Sequence, residues 1–191
     1  MTEKFKMLLG GILSALGALA LETTLWIFID PYNLAKTSPT ATWIMPAEVF
    51  IEELVALIII RRLFQNSSDK NNLFSRALLF GVGFSIPEIL LNFSNYPLLS
   101  QDIILSYLGL LLIHTATAGI FGYYFSRRPN RSLFIFFFFF LALFFHLLFN
   151  FAVMAAVATW MILGLPIGII LACFLALKFT LVKSSLPIQK N

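Results

Sequence analysis

The sequence predicts an all-α, polytopic membrane protein with six spanning helices and both termini in the cytoplasm. Three observations predict it. Of 191 residues, 60% are apolar and only 12% are charged, against roughly 25% charged in a soluble domain. Six stretches reach the roughly 20 apolar residues that a spanning helix needs. Finally, 12 of the 13 Lys and Arg residues fall on one side of the resulting topology. Such a composition excludes a disordered tail protein, a disulfide scaffold and an ordinary cytosolic enzyme.

The expected spans are 7–29, 42–60, 73–93, 102–126, 132–156 and 159–181. The last two come from one long apolar stretch, divided near Ala158 to Pro166 because about 50 residues cannot cross once. Gly164 and Pro166 weaken a helix there. No segment alternates with period two, so a β-barrel is excluded. Lys4, Lys6, Arg61, Arg62, Lys70, Arg76, Arg127, Arg128, Arg131, Lys178, Lys183 and Lys190 share one side, and Lys36 alone takes the other. Positive residues mark the cytoplasmic side. The net charge of +4 therefore reports orientation in a plasma membrane, and no nucleic-acid partner is expected. The first hydrophobic run is long enough to span, so it is expected to stay as a helix and not to be cleaved. The chain reads as one membrane-embedded domain over 1–191, with its motifs between 42 and 156. The Phe run 136–140 reads as lipid-facing filler.

Ionisable groups inside a span are costly, roughly 2.5–3.5 kcal/mol each on an insertion scale. Glu22, Glu48, Glu52, Glu53, Glu88, His114 and His146 all fall inside expected spans. Their depths are informative. Glu52 and Glu53 precede Arg61 by about nine residues, and Glu88 follows Arg76 by about twelve. His114 precedes Arg127 by about thirteen, and His146 follows Arg131 by about fifteen. At 1.5 Å per residue, all lie roughly 14–23 Å from the cytoplasmic edge. Four helices thus place polar groups in one layer. Glu22 and Glu48, nearer the outside, read as cavity-lining or structural. Asp30 and Asp102 read as span ends, and Gly164-Leu-Pro-Ile-Gly168 as helix packing.

Spacing refines the layer. Glu48 and Glu52 share a helix face. Glu53 is turned about 100° from Glu52, so the two carboxylates are expected to point to different spots. His146 and Asn150 are one turn apart and can enter one cavity. In the fourth span, Thr115/Gly119 and Ala118/Gly122 are small-xxx-small pairs that permit close helix approach. Pro87 removes a backbone donor beside Glu88 and is expected to kink the third span.

This set suits hydrolysis of a peptide bond, which needs an activated water and donors for the developing oxyanion. A carboxylate in a low-dielectric pocket is a stronger base than one in water. Glu52 or Glu53 with His114 supplies the water-activating pair, and His146 with Asn150 supplies the opposing donors. No nucleophile elbow and no HExxH helix occurs. The lone Cys173 allows neither a disulfide framework nor a cysteine metal site. No cofactor is expected. A zinc site drawn from several helices stays open, with Glu52, Glu53, His114 and His146 as its ligands.

These stretches resemble the PrsW family of intramembrane proteases, within the wider superfamily of CAAX-prenyl-type and bacteriocin-processing proteases. The resemblance lies in Glu52-Glu53, in Gly81-Val-Gly83-Phe84-Ser-Ile-Pro-Glu88, in His114 with Thr117-Ala118-Gly119, and in His146-Leu-Leu-Phe-Asn150, in that order over residues 52–150. Leu54-Val55-Ala56-Leu57 follows the glutamate pair where these families usually carry a basic residue. The resemblance implies an endopeptidase that cuts a membrane-associated protein, typically a single-span anti-sigma factor. It also implies that Glu52 or Glu53 and His114 activate water, that His146 and Asn150 form the oxyanion hole, and that Glu88 supports them. Two other classes compete. One is a non-catalytic scaffold or immunity-type protein of the same superfamily. The other is a proton-coupled transporter, since intramembrane Glu and His also mark proton relays.

Overall fold

A computed structural model describes residues 2–29, 40–65, 72–95, 101–127, 132–155 and 159–185. It is all-helical there, with α1 Glu3–Ile29, α2 Thr40–Gln65, α3 Leu73–Asn95, α4 Gln101–Arg127, α5 Ser132–Met154 and α6 Thr159–Ser185. The expected break near Ala158 falls between α5 and α6. The expected loops at 30–41 and 94–101 lie largely outside the described residues.

Four helices are long and apolar enough to cross a membrane: Glu3–Ile29, Leu73–Ser94, Ile103–Arg127 and Phe134–Met154. Helix α2 is long enough but carries Glu48, Glu52, Glu53, Arg61 and Arg62. In α6 the described apolar stretch is the shorter Ile162–Ala176. The outer surface also fits a membrane. Phe136, Phe137 and Phe140 of the Phe run are exposed, as lipid-facing residues would be. Phe139 departs from that reading: it is buried, edge-on to Phe50 of α2 at 5.4 Å. A helix cannot turn five consecutive side chains one way.

Local chemistry sets the helix starts. Phe5 N donates to Thr2 Oγ1 across 3.4 Å, an N-cap for α1. Asn72 O accepts from Arg76 N and from Ser75 Oγ, both at 3.0 Å, at the start of α3. Within the helices, Ser14, Thr115 and Ser126 donate back to the carbonyls of Gly10, Leu111 and Gly122. These hydroxyls need no partner from lipid. Helix α3 runs unbroken through Pro87, whose missing N–H leaves the Gly83 carbonyl without its intrahelical donor.

Helix α4 touches every described helix except α1, most extensively α3, which also packs broadly against α1. Glycines permit these contacts. A Cβ on Gly83 would collide with the Leu8 carbonyl oxygen of α1, and one on Gly11 with the Phe80 carbonyl oxygen of α3. The backbones therefore touch, as in small-residue membrane interfaces. Phe80, Phe121, Ile60 and Ile113 fill the space between helices and are fully buried.

Candidate active site

The polar layer is assembled by α2, α3, α4 and α5. Helix α2 supplies Glu52 and Glu53, α3 supplies Glu88, α4 supplies His114, and α5 supplies His146 and Asn150. His146 and Glu53 are each 1% exposed and His114 is 3% exposed.

His146 is the hub. Its Nδ1 lies 2.8 Å from Glu53 Oε1, and its Nε2 lies 3.5 Å from Glu52 Oε2. In the tautomer that carries its proton on Nδ1, His146 donates to Glu53. The opposite nitrogen then faces Glu52 across a gap too long for a good hydrogen bond. A water seated to one side of the two atoms can bridge them. Glu52 Oε2 itself and Glu53 Oε2 are buried without a hydrogen-bond partner among the described residues.

His114 forms the second pair. Its Nε2 donates to Glu88 Oε2 at 2.6 Å. Its ring stands edge-on to His146 with centroids 4.9 Å apart, and Phe84 packs on it at 4.9 Å. One ligand atom each from Glu52, His114 and His146 lies within 4.8 Å of the other two. Such a set can bind three corners of a tetrahedral zinc and leave the fourth for water. Glu53 is not in the set, because it holds the far nitrogen of His146. That is the position of a carboxylate that orients a ligating or water-binding histidine.

One expectation changes here. In place of the expected pairing of Glu52 or Glu53 with His114, His146 takes both glutamates and His114 takes Glu88. Glu52 and Glu53 do reach different spots, the two nitrogens of one ring. An imidazole has nitrogens on opposite edges, so two carboxylates about 100° apart on α2 can each reach one. Asn150 lies one turn beyond His146 and lines a cleft of about 750 Å³ beside Glu88. Comparison with family models, with curated proteins and with solved structures finds no match to this chain.

Trp26 and Tyr107 carry no sequence signal strong enough to single them out, whereas Glu22 and Glu48 are the carboxylates expected to be cavity-lining or structural. Trp26 Nε1 donates to Glu48 Oε1 at 2.6 Å and ties α1 to α2. Glu22 of α1 is buried, and with Glu48, Glu53 and Glu88 it lies within electrostatic reach of Glu52. Tyr107 shares the cleft with Asn150 and Glu88. Its spacing of seven from His114, two turns along one helix face, was the only available hint.

Proposed function

We propose that this chain is an intramembrane endopeptidase of the PrsW type. It is a six-span protein of the plasma membrane with both termini cytoplasmic. Its substrate is a membrane-associated protein such as a single-span anti-sigma factor. One observation carries the reading: four helices bring Glu52, Glu53, Glu88, His114 and His146 to one buried spot. Intramembrane ionisable groups are too costly to gather for packing alone.

In this reading, a water bridging Glu52 Oε2 and His146 Nε2 from one side attacks the scissile carbonyl. Glu52 takes the water's proton and returns it to the leaving amine, so the carboxylate ends the cycle as it began. Glu53 fixes the tautomer and orientation of His146, as the buried carboxylate of a triad does. Asn150, on the cleft side of the layer, offers its amide to the oxyanion. The mutual reach of Glu52, His114 and His146 favours a second reading of the same site, in which these three hold a zinc ion.

The decisive experiment expresses the protein in membranes with a panel of single-span candidates and looks for trimmed products, with and without chelator. Cleavage that survives chelation supports the direct carboxylate mechanism, and cleavage lost on chelation and restored by zinc supports the metal. No cleavage, with stable co-purification of partner subunits, would favour a scaffold. The six-span orientation has its own test. In a Cys173→Ala background, Ser94→Cys is expected to react with a membrane-impermeant thiol reagent added to intact cells. Gln65→Cys is expected to react only after lysis. The reverse pattern would overturn the orientation.

A further inference from the structure

The cleft beside Glu88 has a chemistry of its own. It begins at Glu88, which His114 also holds. From there it runs toward the ends of the helices opposite Arg76 and Arg127. Asn92 follows Glu88 by four residues on α3, Asn150 follows His146 by four on α5, and Tyr107 precedes His114 by seven on α4. Along α4 the distance from Tyr107 to His114 is about 10 Å, the length of about three residues of extended chain.

The Tyr107 hydroxyl is buried and has no hydrogen-bond partner among the described residues. The hydroxyls of Ser14, Thr115 and Ser126 avoid that state by bonding their own helix. A tyrosine hydroxyl stands too far from its own backbone to do so. A buried polar group left open calls for an explanation, and a ligand group is one. The other polar residues of the cleft, Asn92, Ser106 and Asn150, are neutral, and no cation lines it among the described residues. An anionic headgroup or phosphate would find no counter-charge there. Neutral amides and hydroxyls instead match the free N–H and C=O groups of a peptide backbone. The remaining walls are apolar, among them Phe149 and Met154, and accept apolar side chains.

We infer that this cleft holds a locally unwound, uncharged stretch of substrate about three residues from the scissile bond, and that the Tyr107 hydroxyl bonds its backbone. The inference rests on the protease reading and deepens it. A substrate that stayed helical would keep its backbone groups paired internally and leave Tyr107, Asn92 and Asn150 unmet. The enzyme should therefore prefer Gly or Pro beside the cleaved bond over a run of Leu.

The test is Tyr107→Phe, which keeps the ring and the shape of the cleft. The wild-type protein, Tyr107→Phe, Asn92→Ala and Glu52→Gln are assayed on two single-span substrates that differ only in a Gly-Pro or Leu-Leu pair beside the scissile bond. Tyr107→Phe is expected to melt no lower than the wild type, because no bond in the protein is lost. Its KM should rise about tenfold, as loss of one hydrogen bond does, while kcat falls less than KM rises. Its preference for the Gly-Pro substrate should shrink, and Asn92→Ala should act in the same direction. Unchanged KM and preference, or a lowered melting temperature, would overturn the inference. If Glu52→Gln stops cleavage while Tyr107→Phe changes nothing, the protease reading stands and the cleft assignment falls. If the wild type cuts neither substrate, or Glu52→Gln cuts like the wild type, both fall together.

Discussion

Glu52→Gln is expected to leave a folded, membrane-inserted protein that no longer cuts its substrate, with kcat reduced by about 10²–10⁴-fold, the usual contribution of a general base. The amide has the shape of the carboxylate but cannot take a proton. Glu52 Oε2 has no hydrogen-bond partner among the described residues, so the change breaks no bond there. Stability should hold while activity disappears. Glu53→Gln makes the contrast. Its oxygen can still accept from His146 Nδ1, now 2.8 Å from Glu53 Oε1, so it should retain part of the activity. The measurement is product formed per enzyme in membranes, with thermal stability followed in parallel. Glu52→Gln cutting at the wild-type rate would remove Glu52 from the chemistry.

Hydropathy located the helices but not their neighbours. The expected spans 7–29, 73–93 and 102–126 correspond to Glu3–Ile29, Leu73–Asn95 and Gln101–Arg127. Helix α2 overshoots the expected 42–60 and runs to Gln65. Apolarity stops at Arg61, but a helix continues past the apolar region because Arg side chains reach back to polar surroundings. Which helices touch is a different kind of information. It depends on where backbones can approach, and the signal is a handful of glycines. Gly11 and Gly83 let α1 lie directly on α3. The small-xxx-small pairs of α4 marked only that helix as closely packed. Gly122 does meet Ala77 of α3, where an added Cβ would come within 2.5 Å of the Ala77 side chain.

The site was legible in depth and illegible in pairing, for one geometric reason. Depth follows from residue count and helical rise, which is one coordinate. Pairing needs the order of helices around the bundle and the rotation of each about its axis, and sequence carries little of either. So Glu53 and His146 could be assigned to one layer, while their hydrogen bond across a separation of 93 residues could not be foreseen. Glu88 was read as support near a kink, and it holds His114 directly. Tyr107 was missed because a tyrosine within a span is ordinary until its hydroxyl is found buried without a partner.

The other large effect is expected at Gly81, where packing and chemistry meet. A Cβ there would collide with the His114 carbonyl oxygen and would lie 2.6 Å from Thr115 Cα and 2.8 Å from His114 C. All three are backbone atoms of α4, so no side-chain rotation relieves the clash. The helices must separate by about an ångström to restore ordinary contact, at the most extensive interface of the bundle. Overpacking of this kind costs about 1–3 kcal/mol. Glu88 lies seven residues beyond Gly81, on the same face of α3, and its 2.6 Å bond to His114 stretches with the separation. Gly81→Ala should therefore lower thermal stability and cleavage together, and Gly81→Val should prevent folding. Gly17 is the control: nothing lies within 4 Å of a Cβ placed there. Gly17→Ala should leave cleavage unchanged and raise stability slightly, since Ala favours helix over Gly by about 1 kcal/mol. If Gly81→Ala melts and cuts like Gly17→Ala, then α3 and α4 are not in backbone contact at His114, and the alignment of Glu88 with His114 loses its support.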